Sequence, residues 1–405
     1  VAPAHPSAGE YDDLVAHLQR LTSIADHGSG GAAGDADADA LAAGRAYLAG
    51  LAPGGWMVPA WPKSYGGRAA TPDEARNIRD VLRSFTSPDL YLFFVGLNMI
   101  GPTLLTHGTS EQCERWMPTI ASGQEIWCQM FSEPEAGSDL ASVATAARQA
   151  GEGWCINGQK VWTSRAHCAN WGLCLARTDP ELPKHQGLSM FAVPIEDPGI
   201  TVRPLVQMNG DRHFSEVFLD NVQVSRAELI GAAGDGWKIA QTVLAHERSS
   251  IAGGWSRSRK GGPRTAVPRW LRSMTESADP RDQGHMDEAI AAYVEAEVTR
   301  LTAARGAAYA RAGRRPGPES SGQKLRVVAS LKRRAYLAQE LLGADGLLSG
   351  HAVHDEILVA PSLSIRGGTD EIQRNIVAER VLKLPAEPRT DRDVPWSVSR
   401  RGGLP

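Results

Sequence analysis

Residues 126–145 read IWCQMFSEPEAGSDLASVAT, and the reading of this stretch decides the fold. It starts apolar and then changes character. Phe131-Ser132-Glu133-Pro134 runs through Glu135 into Ala136-Gly137-Ser138-Asp139. So many turn formers and hydroxyls suit neither a helix interior nor a central strand. They suit a loop whose backbone comes close to a flat ligand, because glycine removes the side chain that would hold it off.

Outward from this loop the chain has three textures. Up to about Gly123 it is rich in Ala and Leu and reads as helical, broken at residues 28–34 and at Pro53-Gly54-Gly55. Residues 90–105 are nearly all apolar and predict a buried helix. From about residue 125 short strands are expected. Asn157-Gly158 lies between two of them and signals a hairpin turn. Residues 171–176, 188–195, 200–205 and 216–224 continue the pattern, separated by Pro, Gly and Asp. From Gly236 the period turns helical again, over 237–251, 287–311, 324–342 and 370–382, with lengths suited to a bundle. Residues 253–282 read as a connection. The segment after Pro385 has little apolar content and reads as a tail that wraps a partner or stays loose.

At 405 residues, two or three domains are expected. The 43 basic and 46 acidic residues nearly balance, which argues against a dedicated nucleic-acid binder. No apolar run has membrane-spanning length and no apolar signal-peptide core is seen near the N-terminus. The five cysteines form no CxxC pair and no zinc-like spacing, so no metal site is expected. They read as reduced thiols of a cytoplasmic protein. No GxGxxG fingerprint follows a strand, so any flavin or nicotinamide is held without a Rossmann turn.

Five separated stretches carry a resemblance. Trp61-Pro62-Lys63-Ser64-Tyr65-Gly66-Gly67 is similar to the WPxxYGG loop of the acyl-CoA dehydrogenase family. Residues 130–139 resemble its flavin and acyl-thioester loop. Asn157-Gly158-Gln159-Lys160-Val161-Trp162-Thr163-Ser164 resembles its NGxKxWxT/S strand. Gln339 through Gly343 to Gly346 resembles its QxxxGxxG turn. Gly367-Gly368-Thr369-Asp370-Glu371-Ile372-Gln373-Arg374-Asn375 resembles its last flavin motif. They fall in the family's order and cover most of the chain after residue 55.

The resemblance implies an α+β, mainly α fold. It has an N-terminal helical domain (1–124), a middle β-barrel domain (125–235), a C-terminal four-helix bundle (236–385) and a tail (386–405). It implies an FAD enzyme that desaturates an acyl-CoA and passes electrons to an electron-transfer flavoprotein. Gln129, Phe131, Ser132, Trp162, Ser164, Gln339, Gly343, Thr369 and Glu371 would hold the FAD. Trp162 would pack on the ring, Ser164 would reach N5, and Thr369 and Glu371 would bond the ribityl or diphosphate portion. Ser138, Arg248 and Gly367 would face the thioester.

Taking a proton alpha to a thioester needs a carboxylate of raised pKa, sheltered from water. Many family members carry it just before the Gly-Thr of the last motif, where this chain has Gly367. The family's second position lies on the first long bundle helix, where this chain has Glu247. Val243, Leu244, Glu247 and Ile251 share one helical face, and neither residue four away from Glu247 is basic. The residues alone leave open a surface glutamate or an ion pair with Arg248. With the slot at Gly367 empty, the resemblance, to an actinobacterial FadE-like member, makes Glu247 the candidate base, on the first bundle helix as in isovaleryl and long-chain types.

Three departures from the family stand out. Arg165 follows Ser164, where the family has a small residue, and Arg366 precedes Gly367, where it has an aromatic one. Either the two recognise an anionic acyl group, or they point outward or pair with acids at a subunit interface. An R-x-x-F-G segment that would anchor a neighbour's FAD diphosphate is absent from residues 253–268. The resemblance implies a homo- or hetero-oligomer, dimer or tetramer: with that segment missing, either a subunit of a heterotetramer with fewer flavins than chains or a homodimer that holds FAD differently. Two alternatives keep the fold: a flavin oxidase or monooxygenase, and a subunit whose FAD site a partner chain completes.

Overall fold

The computed structural model describes residues 11–25, 36–252, 283–311, 317–348, 352–388 and 391–400. Among the described residues five helices come first: α1 (Asp12–Ala25), α2 (Ala36–Leu51), α3 (Pro72–Ser84), α4 (Gly101–His107) and α5 (Ser110–Ala121). Thr71 and Thr109 each open their helix with a reciprocal capping box, to Glu74 and Gln112. The apolar run before α4 is not one regular helix. It is a 3₁₀ turn (Tyr91–Phe93), a π segment (Gly96–Ile100) and then α4.

Eight strands follow: β1 (Trp127–Met130), β2 (Ala146–Ala150), β3 (Gly153–Ser164), β4 (Trp171–Arg177), β5 (Leu188–Pro194), β6 (Ile200–Leu205), β7 (Phe214–Val224) and β8 (Leu229–Ile230). They form one mixed sheet in the order β6-β7-β3-β2-β4-β5-β8, with β1 pairing β4 in parallel. The expected turn at Asn157-Gly158 lies elsewhere. The β2–β3 hairpin closes two residues wide between Ala150 and Gly153, and β3 runs unbroken through Asn157-Gly158 with a register shift against β7. Close approach explains the glycine: a Cβ on Gly158 would stand 2.7 Å from the Thr145 Cα. Asn157 is used sideways, accepting from the Asn221 amide at 2.9 Å.

Helix α6 (Gly236–Ala252) then packs on β5 and α4, burying Ile239, Ala240 and Val243. Its first residue must be small, since a Cβ on Gly236 would lie 2.5 Å from the Ser189 amide of β5. The bundle adds α7 (Gln283–Arg311), α8 (Glu319–Leu342), α9 (Ala352–Leu363) and α10 (Asp370–Ile376). The sequence pattern missed α9, and the helix expected over 370–382 becomes a π segment after Ile376. Residues 253–282 lie outside the described residues.

The tail also departs from expectation. Residues 391–400, ending in α11 (Trp396–Arg400), lie on the chain's own middle domain. The Trp396 amide donates to Leu182 O at 3.0 Å and the Ser397 amide to Pro180 O at 2.9 Å. These main-chain bonds, joined by the side chains of Asp391, Trp396 and Arg400, dock the segment on distant partners that a composition-based reading does not register.

Two features join the layers. Trp116 of α5, Trp127 of β1 and Trp171 of β4 form an aromatic cluster with centroids 5.4–5.7 Å apart. Inside the sheet, Lys160 is completely buried. Its Nζ donates to Glu133 Oε1 (2.8 Å), Phe131 O (3.0 Å) and Leu175 O (2.7 Å). Glu133 also accepts from the amides of Ala144 (2.6 Å) and Thr145 (2.9 Å). Burial pushes the Glu133 carboxyl up, but Lys160 and these donors outweigh it and hold it below the ordinary glutamate value.

Removing one partner of a buried pair leaves the other charge uncompensated. Lys160→Met is therefore expected to cost about 3–5 kcal/mol of unfolding free energy, measured by urea denaturation. Because the folded pKa of Glu133 is depressed, its contribution is present above the ordinary glutamate pKa and lost as pH falls through the folded one. The stability gap between wild type and Glu133→Gln should close on acidification.

Candidate active site

β1 hands the chain to the loop at Phe131, which is buried. The Val161 amide donates to Ser132 O at 2.9 Å, so the loop starts flat against β3. One residue further on, β3 bulges. Trp162 takes φ +58° and stands 59% exposed, edge-on to Phe214 at 5.8 Å. A left-handed backbone costs an L-residue about 1–2 kcal/mol, and here it turns a large aromatic out of the sheet rather than into it. Arg165, at φ +57°, repeats the conformation, with half-buried Ser164 between the two. Beyond the loop's first turn, Ser138 is exposed.

α6 brings Glu247 to this wall, one turn past buried Val243. Burial raises its carboxyl above the ordinary glutamate value. Arg248 and a hydrogen bond from the Gln129 side chain pull the other way without cancelling it. Gln129 lies on β1, two residues before Phe131. The residue read from sequence as a cofactor contact thus has its side chain on the candidate base. Arg248 beside it is half-buried, and burial lowers its pKa against the pull of Glu247. Leu244 packs on the core as the helical stripe requires. The Ile251 side chain lies outside the described residues.

The remaining predicted residues belong to the bundle. Gly367 and Gly368 take φ +67° and +83°, which L-residues rarely adopt, and lead into α10. Thr369 caps that helix, accepting from the Ile372 amide at 3.2 Å, and exposed Glu371 pairs with Arg374 at 3.3 Å. Asp370 pairs with Lys324 of α8 at 2.9 Å. Half-buried Gln339 and Gly343 (φ +55°) mark the end of α8.

Arg165 does not face an open pocket with its charge unmatched. Its guanidinium pairs with Asp37 of α2 within the same chain, and His167 Nε2 meets the same carboxylate at 2.9 Å. Burial raises the Asp37 carboxyl, but the His167 bond and the Arg165 charge hold it below its ordinary value. No local signal links residues this far apart in sequence. Asp37, His167 and Cys168 also bring ligand-type atoms within 4.8 Å of one another, although no metal-like spacing exists in the sequence. Arg366 is exposed beside Gly367.

The chain's likeness to known proteins spans the same three layers. Residues 28–124, 128–222 and 234–382 match the N-terminal, middle and C-terminal domain models of acyl-CoA dehydrogenase. Acyl-CoA dehydrogenase FadE34 of Mycobacterium tuberculosis is 42% identical over 83% of this chain, which spans only 45% of that relative's length. Acyl-CoA dehydrogenase IpdE1 of the same organism is 38% identical over 85% of this chain and 88% of its own. A solved structure described as the Tcur3481-Tcur3483 steroid ACAD is 25% identical, with a TM-score of 0.73 over 93% of this chain and 97% of that one.

The Gln129 bond favours the ionised carboxylate, so its loss should raise the Glu247 pKa further. Gln129→Leu is expected to move the carboxylate titration to higher pH, read by infrared difference against Glu247→Gln. An unmoved titration would show that the bond has no hold on Glu247.

Proposed function

The chain belongs to the acyl-CoA dehydrogenase family, and from that premise we propose that it desaturates an acyl-CoA between the α and β carbons with Glu247 as the base. The observation that carries this reading is one carboxyl, raised by burial, on a helix packed against the middle sheet and bonded to the strand that enters the Phe131–Ser132 loop. No carboxylate stands at Gly367 to compete for the role.

The residues present fit FAD. Trp162 offers a large aromatic surface outside the core, beside the main chain of Ser132. Gly367 and Gly368 carry no side chain before α10, so a ligand can come close to the backbone there. In this reading Phe131, Ser132, Trp162 and Ser164 hold the ring end. Gln339, Gly343, Thr369 and Glu371 serve the remainder, from this chain or a neighbour. When bound, FAD supplies the acceptor for the β hydride.

This chain's residues supply the rest. Glu247, ionised but poorly solvated, takes the α proton. Gln129 holds that carboxylate toward the loop. Backbone donors near Gly367 polarise the thioester carbonyl and lower the barrier to enolate formation. Ser138 meets the CoA arm. The product is a trans-2-enoyl-CoA, and an electron-transfer flavoprotein removes the electrons. The steroid ACAD likeness makes a bulky acyl group the first to try. An anionic group reaching Arg165 would have to displace Asp37.

One observation favours a partner chain. Helix α7 leaves Ile290, Val294 and Leu301 about half exposed, more apolar surface than a lone bundle helix usually leaves uncovered. The similar solved structure is named for two components. A second subunit, identical or not, would cover this helix.

Glu247→Gln should retain FAD yet lose bleaching by acyl-CoA under anaerobic conditions by at least about 10²-fold. Bleaching at the wild-type rate would place the base elsewhere. A raised folded pKa means that the ionised carboxylate costs stability above the ordinary glutamate pKa, a cost absent below it. The variant's melting temperature at neutral pH should therefore match or exceed wild type. Oxygen uptake matching substrate consumption would favour the oxidase alternative.

A further inference from the structure

We propose that residues 391–400 form a strap that positions the loop of residues 133–142 for the CoA arm of the thioester, with Trp396 and Asp391 as the positioning residues. The proposal rests on the acyl-CoA dehydrogenase reading above. The loop is unequally held. Its start is pinned by Glu133, which bonds Lys160, Ala144 and Thr145. Its middle is open on one side: a Cβ on Gly137 would meet nothing within 4 Å, and Ser138 is exposed.

The far half of the loop is held by groups that the strap completes. Buried Arg177 donates to Ala141 O at 2.5 Å, Val143 O at 3.1 Å and Lys184 O at 3.2 Å. The Trp396 ring covers that guanidinium at 4.4 Å, and its Nε1 donates to Ser142 O at 3.3 Å. A buried guanidinium over an indole face is a substantial contact. Lys184 Nζ then joins the two segments directly. It pairs with Asp139, the neighbour of Ser138, at 2.9 Å and with Asp391 of the strap at 2.5 Å. Arg400 adds a pair with Glu135 at 3.3 Å.

Every one of these contacts ends on the loop itself or on residues that bond it, so the strap fixes where Ser138 stands. Glu247 is tied instead to β1 through Gln129. Strap variants should therefore alter capture of the CoA arm while leaving proton removal intact.

The test uses FAD-loaded Trp396→Ala and Asp391→Ala, assayed with one acyl group presented as the CoA thioester and as the N-acetylcysteamine thioester, which lacks most of the arm. KM for the acyl-CoA should rise about tenfold, equivalent to about 1.4 kcal/mol of binding. The kcat and the flavin content should stay at wild-type levels. KM for the truncated thioester should not change, and Trp396→Phe, which keeps an aromatic ring over Arg177 but loses the bond to Ser142 O, should restore the acyl-CoA value in part. An unchanged acyl-CoA KM, or an equal rise with both thioesters, overturns the strap. A wild-type protein inert toward both thioesters overturns the dehydrogenase reading and the strap with it.

Discussion

The buried ammonium of Lys160 is the constraint on which the rest depends. An ammonium taken out of water demands partners for all three of its protons. Here they are Phe131 O, Glu133 Oε1 and Leu175 O. One side chain thereby ties the loop to β3 and β4. Glu133 carries the constraint onward to the amides at residues 144 and 145, where the loop returns to the sheet. A pair this deep contributes little net stability compared with an apolar replacement; what it sets is which loop atoms meet β3 and β4.

With the loop fixed, the helices can deliver chemistry to it. The tryptophan cluster holds α5 against β1 and β4. His107 of α4 meets Thr242 of α6 at 2.9 Å. Helix α6 is thus seated between the first helical layer and β5, and Glu247 lies where its stripe leaves the core. The carboxyl is raised because α6 is packed, and it is aimed because Gln129 belongs to the strand entering the loop.

Much of this was legible in the sequence. Each motif is local, and local spacing survives folding: Trp61–Gly67, the loop itself and the Gly-Gly-Thr entry to α10 all keep the backbone their residues demand. The helical stripe of Val243, Leu244 and Glu247 also told its face correctly. What was not legible depends on distant partners. The 157–158 dipeptide reads as a turn until Thr145 is seen against it. Arg165 reads as a possible anion contact until Asp37 is folded onto it from α2. Lys160 and Glu133 sit inside motifs, yet nothing in their spacing says that they meet. The tail docks through two amide bonds and through Asp391, Trp396 and Arg400 on partners far away in sequence, which composition cannot report.

Exchange of the substrate's α protons in D₂O, followed anaerobically by NMR, isolates proton removal from hydride transfer. It tests most directly the claim that Glu247 is the base. With an acyl-CoA whose β carbon is replaced by sulfur, hydride transfer is blocked and only exchange remains. The account predicts rapid exchange by the FAD-loaded wild type and none above background by Glu247→Gln with full flavin. Exchange at the wild-type rate in that variant would contradict it.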